Sequence, residues 1–136
     1  MKLDVLLVDD ENEFVDAFAE RLRLRGFNPR VANNGEEALR MVEEENARIM
    51  ILDLKMPGID GLEVLRQMKE DPVLKPVPVV MLTSSREEHD LVRSYQLGVN
   101  AYVVKPVDFQ QFIQSVKQLG CFWALINEPS PQSLQK

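Results

Sequence analysis

Val5-Leu6-Leu7-Val8-Asp9-Asp10-Glu11-Asn12 decides how the chain is read. An aliphatic run too short for a helix stops at consecutive acids, and an amphipathic stretch begins at once. That is the profile of a buried strand feeding a surface helix. Outward from it the unit recurs. Strands are expected at 5–8, 27–32, 48–52, 77–82 and 101–104, and helices at 11–25, 36–45, 62–70, 87–97 and 109–126. Five such pairs predict an α/β fold: a doubly wound five-stranded parallel sheet covered by helices on both faces.

Local signals sharpen the boundaries. Capping-box spacings mark helix starts at Asp10 with Glu13, Asp60 with Glu63, Ser85 with Glu88 and Asp108 with Gln111. In each, a short polar side chain takes a free backbone N–H while an acid or amide three residues on reaches back. Gly26 and Gly98 fall just past the first and fourth helices, where a positive φ is wanted. Pro29 lies inside the second strand and has no N–H for a ladder, so that strand belongs on an edge. Asn33-Asn34-Gly35 reads as a plain loop. Residues 1–126 are expected to form one domain with a long fifth helix. Residues 127–136, with Pro129, Pro131 and two serines, read as a flexible tail.

Composition narrows the function. A chain of 136 residues that is 45% hydrophobic can build one core. Sixteen Lys and Arg against 22 Asp and Glu give a net charge of -6, which argues against nucleic acid and anionic membranes as partners. One cysteine, Cys121, and one histidine, His89, exclude an internal disulfide and a four-ligand His/Cys zinc site. No apolar run is long enough to span a membrane, and Met1-Lys2-Leu3-Asp4 offers no signal segment, so a cytoplasmic location is expected.

Ligands of an open parallel sheet bind at the carboxyl ends of its strands, where the strand order reverses. Those ends lead into Asp9-Asp10-Glu11, Asp53, Thr83-Ser84 and Lys105-Pro106. Carboxylates gathered in a partly dry pocket repel one another strongly and need a cation among them. Hard oxygen ligands suit Mg²⁺, and Lys105 can neutralise a further charge. A divalent ion beside a free carboxylate is half of a phosphoryl-transfer site, with Asp53 the nucleophile.

Simpler readings exist for each residue alone. Asp10 can be only a helix cap, Asp53 a solvated strand-end acid, Thr83 another cap and Tyr102 a half-buried aromatic. His89 falls on a polar helix face among Glu87, Glu88 and Asp90, and Cys121 reads as a small apolar residue. Phe109, Phe112, Ile113, Val116, Leu119 and Trp123 form a core-facing stripe. Phe122 and Leu125 lie off it, near a helix end that overhangs the sheet, which marks them as candidates for a homodimer contact.

Four segments now act together: Val8-Asp9-Asp10-Glu11-Asn12, Leu52-Asp53-Leu54-Lys55-Met56-Pro57-Gly58-Ile59-Asp60-Gly61, Met81-Leu82-Thr83-Ser84 and Ala101-Tyr102-Val103-Val104-Lys105-Pro106. In this order, each after an expected strand, they resemble the receiver domain of two-component response regulators, of the stand-alone, chemotaxis-regulator-like kind. The resemblance runs from about residue 5 to about residue 119. It implies the flavodoxin-like, three-layer receiver fold with strand order 2-1-3-4-5. It implies a single-domain response regulator that accepts a phosphoryl group on Asp53 from a sensor histidine kinase, with Mg²⁺, and switches conformation to control a downstream effector protein. Asp10 is then the main metal carboxylate, with Asp9 acting largely through a metal-bound water and Asp53 and the backbone carbonyl of Lys55 as further ligands. Thr83, with Ser84 beside it, binds the phosphoryl group, Lys105 salt-bridges it, and Tyr102 swings inward as the switch. The Lys105–Pro106 bond is cis by the same resemblance. Lys55 and Ser85 hold the two variable positions that tune phosphoryl lifetime.

Such a protein is not an enzyme beyond assisting its own phosphorylation and dephosphorylation. The alternative is a phosphorelay intermediate that passes its phosphate to a histidine phosphotransfer protein. The Asp-x-Asp-x-Thr loop of an aspartyl-phosphate phosphatase is absent after the first strand, as is the Gly-rich loop of a nucleotide-binding fold. Asp10, Asp53 and Lys105, all present, argue against an inert interaction module.

Overall fold

The computed structural model describes residues 3–83, 96–105 and 107–117. Ser84, Ser85, His89, most of the expected helix 87–97, Pro106 with its peptide bond, and everything beyond 117, including Cys121, Phe122, Leu125 and the tail, lie outside the described residues.

Strands and helices alternate as β1 (Leu3–Val8), α1 (Asn12–Leu24), β2 (Phe27–Ala32), α2 (Gly35–Glu44), β3 (Ile49–Asp53), α3 (Gly61–Lys69), β4 (Val79–Thr83), β5 (Ala101–Val104) and α4 (Phe109–Lys117). The last is the fifth helix of the sequence reading. All strand pairs are parallel, in the order β2-β1-β3-β4-β5. The chain winds to one side of β1 and then to the other, and that reversal places the switch point between β1 and β3.

Period-two alternation divides the strand residues between two cores. Leu6, Val8, Met50, Leu52, Val79 and Met81 face Ala38 and Val42 of α2 and Val64, Leu65 and Met68 of α3. Val5, Leu7, Ile49, Ile51, Val80 and Leu82 face Val15, Phe18 and Leu22 of α1 and Phe112, Ile113 and Val116 of α4. Every residue of β3 and β4 is buried, which explains why these strands read as unbroken aliphatic runs. Each large side chain so buried contributes roughly 1.5–3 kcal/mol. Pro29 pairs in register with Val5 on β2, which has one neighbour only, as the missing N–H requires.

Two expectations need correction. Asp10 does not cap α1: the N-cap is Glu11, without a side-chain cap bond, and Asp10 stays exposed. The reason is Asp9, whose Oδ1 accepts the Glu11 N–H at 2.9 Å, so the helix starts a residue later than the Asp10/Glu13 spacing needs. Nor is Asn33-Asn34-Gly35 a plain loop. The Asn34 side chain accepts the Glu37 N–H at 2.8 Å, while the Glu37 carboxylate accepts the Asn33 N–H at 2.7 Å. Asp60 and Asp108 cap as expected, accepting from the N–H groups of Glu63 and Gln111. Gly26 holds a φ of 90° just after α1, and Gly98 one of 98° ahead of β5. β4 begins at Val79 rather than 77, because the Val77 N–H is engaged in a turn with the Leu74 carbonyl.

Candidate functional site

Register alone assembles the site. Val8 pairs with Leu52, so Asp9 and Asp53 come next along neighbouring strands. Asp53 pairs with Leu82, and Thr83 with Val104, which brings Thr83 and Lys105 to the same end. Backbone bonds continue the ladder past the strand ends: Asp9 N–H to the Ala32 carbonyl at 3.1 Å, Lys105 N–H to that of Thr83 at 2.7 Å. Functional side chains therefore sit on rigid backbone, not on free loops. Asp53 and Thr83 are the last residues of β3 and β4 rather than the first loop residues.

Asp9, Asp53 and Thr83 are the buried polar or charged residues among those described, at 0%, 5% and 2% exposure. Asp10 stands at the exposed rim. Asp9, Asp10 and Asp53 bring carboxylate oxygens within 4.8 Å of one another. Burial, then the charge of Asp9, pushes the Asp53 carboxyl up to about 7, against the opposing pull of Lys105. The Lys105 ammonium lies 2.7 Å from Asp9 Oδ2, 2.6 Å from Glu11 Oε1 and 3.7 Å from Asp53 Oδ1. Burial alone would lower its pKa, but the bonds to Asp9 and Glu11 and the charge of Asp53 raise it overall, so it stays charged. Below it lies the Phe14 ring, 4.6 Å from Nζ, a cation–π contact. Phe14 stacks on Phe18, and Phe18 meets Phe109 and Phe112 edge-on, so an aromatic cluster joining α1 and α4 carries the lysine.

Of the residues expected to act, Asp9, Asp10, Asp53, Thr83 and Lys105 converge. Lys55 lies two residues past Asp53 with its side chain exposed. Tyr102 is half-buried, opposite Met81 in the ladder and against the core beneath α2 and α3. Sequence reading missed Glu11 as a partner of Lys105, and Phe14 as its floor. It also missed Gly61, where a Cβ would lie 2.4 Å from the Asp53 carbonyl oxygen. That close approach, with the Gly61 N–H bonded to the Leu54 carbonyl at 3.0 Å, closes the β3–α3 loop against the phosphoacceptor position.

The donor set fits a hard divalent cation. Three carboxylates converge, and Lys105, the cation that faces Asp53 among the described residues, leaves it well above the ordinary carboxylate range. Mg²⁺ held by Asp9, Asp10 and Asp53 would supply the missing positive charge.

A sheet of this order, with an acidic pocket countered by lysine at its switch point, is how a receiver domain is built. The chain belongs to the response regulator receiver domain family, which residues 5–117 match. It is similar to the bacteriophytochrome response regulator RtBRR, with 42% identity, a TM-score of 0.80, and coverage of 99% of this chain and 88% of that one. The bacteriophytochrome response regulator AtBRR is 45% identical, with a TM-score of 0.78 over 94% of this chain and 99% of the other. The alkaline phosphatase synthesis transcriptional regulatory protein PhoP of Bacillus subtilis (strain 168) is 34% identical over 119 residues, 88% of this chain. The chain spans about half, 49%, of PhoP's length. Among the described residues, no helix is long and apolar enough to cross a membrane.

Proposed function

We propose that the chain is a phosphorylation switch, not an enzyme acting on a separate substrate: Asp53 accepts a phosphoryl group from the phosphohistidine of a sensor kinase or a histidine phosphotransfer protein. One observation carries the reading. A buried carboxyl, Asp53, has two more carboxylates within 4.8 Å and an ammonium 3.7 Å away. Phosphoryl transfer asks for positioning and charge neutralisation, and these residues supply both.

An Asp53 carboxylate oxygen attacks phosphorus, the P–N bond of the donor breaks, and its electron pair returns to the imidazole, leaving an acyl phosphate on Asp53. Lys105 neutralises charge on the phosphoryl oxygens, and a divalent cation held by Asp9, Asp10 and Asp53 would add its positive charge there. The buried Thr83 would donate its hydroxyl to one of them, and Tyr102, two residues from Val104, Thr83's ladder partner, would report the change to the face around β5. Phosphate then biases a two-state equilibrium read by an effector protein. Mg²⁺ at Asp9, Asp10, Asp53 and the Lys55 carbonyl, and a place in the cytoplasm, complete the proposal.

The test is acetyl phosphate, or beryllofluoride as phosphoryl mimic, with Mg²⁺, followed by intact-mass spectrometry for the former and fluorine NMR for the latter. Modification confined to Asp53 is expected. An unchanged phosphorylated fraction in Asp53→Asn would sink the assignment.

A further inference from the structure

We infer that Glu11 is a positioning residue for Lys105, a latch that holds the ammonium at the mouth of the pocket and must release it for phosphoryl transfer; this rests on the phosphoacceptor reading above. Lys105 Nζ makes its two short contacts to Glu11 and Asp9, at 2.6 and 2.7 Å, while Asp53 Oδ1, whose phosphoryl group it would serve, is 3.7 Å away and beyond hydrogen-bond range. The two short contacts differ in kind. Asp9 is buried, whereas the Glu11 side chain is 63% exposed and stands on the rim. Glu11 on the rim and Asp53 in the pocket thus lie at different depths, and they compete for the one ammonium.

Glu11 is placed for this by its own backbone. Its N–H donates to Asp9 Oδ1 at 2.9 Å, and its carbonyl accepts the Val15 N–H at 3.0 Å, so the Cα is pinned at the start of α1 and only side-chain torsions are free. Phe14, one helical turn on, supplies the ring face 4.6 Å from the same ammonium. The lysine is clasped by one turn of helix, with the carboxylate as the polar arm and the ring as the apolar one. An aspartate at 11 would keep the charge but end one carbon–carbon bond short of the ammonium. A glutamine would keep the reach but lose the charge.

This pair of variants separates a latch from a simple rim charge that repels anionic donors. With saturating Mg²⁺, both Glu11→Asp and Glu11→Gln should speed acetyl phosphate labelling of Asp53 by about two- to fivefold, the worth of one partly exposed ion pair. Neither should do so in a Lys105→Ala background. In the metal-free protein, the ¹⁵N-lysine resonance of Lys105 Nζ, identified by its loss in Lys105→Ala, should exchange with water several-fold faster in both variants. Parent-like labelling in Glu11→Asp with acceleration in Glu11→Gln would overturn the latch in favour of charge alone. Acceleration that persists without Lys105 would overturn it too. A parent protein that takes no phosphoryl group at Asp53 refutes the phosphoacceptor reading instead; the exchange measurement then decides the contact, and unchanged exchange in both variants refutes it.

Discussion

Replacing Asp53 by asparagine should stabilise the metal-free protein, and by an amount that depends on pH. In the folded chain this carboxyl titrates at about 7 instead of 3.8, first because it is buried and next because Asp9 stands beside it. A folded state that holds its proton more tightly than the unfolded one takes up a proton on folding between those two values. Stability therefore falls as pH rises from about 4 to about 7, and above 7 the whole cost of the charge is present. At about 1.4 kcal/mol per pH unit the interval corresponds to ~4 kcal/mol. Solvent reaching past the exposed Asp10 and Glu11 screens part of it, which brings the expectation to ~2–4 kcal/mol. Urea denaturation in EDTA should show Asp53→Asn more stable than the parent by that amount at pH 8 and by about half as much at pH 5.5, where the folded carboxyl is already protonated. Mg²⁺ at ten times its Kd should return about 1.4 kcal/mol to the parent. Equal stabilities at pH 8, or a gain that does not change with pH, would refute the view of Asp53 as an uncompensated buried charge.

Lys105→Ala should fold but lose about 1–3 kcal/mol without metal, since buried Asp9 forfeits its cation, while calorimetry should find Mg²⁺ bound about tenfold tighter once a competing charge is gone. Gly61→Ala forces a Cβ to within 2.4 Å of the Asp53 carbonyl oxygen, so it should destabilise by more than ~2 kcal/mol and weaken Mg²⁺ binding together, both read by thermal melts with and without the ion. Asn34→Ala should cost about 1 kcal/mol in urea denaturation and leave Mg²⁺ affinity unchanged, because its side chain caps α2 through the Glu37 N–H and neither residue belongs to the cluster of Asp9, Asp10 and Asp53.

The sheet was legible because β3 and β4 are buried on both faces and could be written only in aliphatic residues, while Pro29 named an edge. The acidic pocket was legible because parallel strands all end on one side, so the residues just past each strand are the residues of the site. The features that spacing does not encode depend on distances in the folded chain. Asp9 and Asp10 are adjacent in sequence, but one turns inward and takes the Glu11 N–H while the other stays in water, and only the fold decides which. Glu11 looked like one more acid until the ladder set Lys105 beside it, 94 residues away. Gly61 comes after the cap Asp60 at the first position of α3, where glycine is unremarkable, and its necessity appears only when α3 is laid against the end of β3.

The parallel winding has an electrical consequence as well. When every strand runs one way and the helix after it returns antiparallel, as after β1, β2, β3 and β5, these helices begin at the end of the sheet where the strands finish. α1 starts at Asn12, three residues after Asp9, and α3 at Gly61, whose amide closes on Leu54 next to Asp53. The aligned peptide dipoles give each such terminus the equivalent of roughly half a positive charge. An anion forming on Asp53 would thus arrive in a field set by the backbone itself, which needs no side chain to move and no water to reorient. No substitution of a single ionisable group could remove that field, because it is a property of the direction in which the chain is wound.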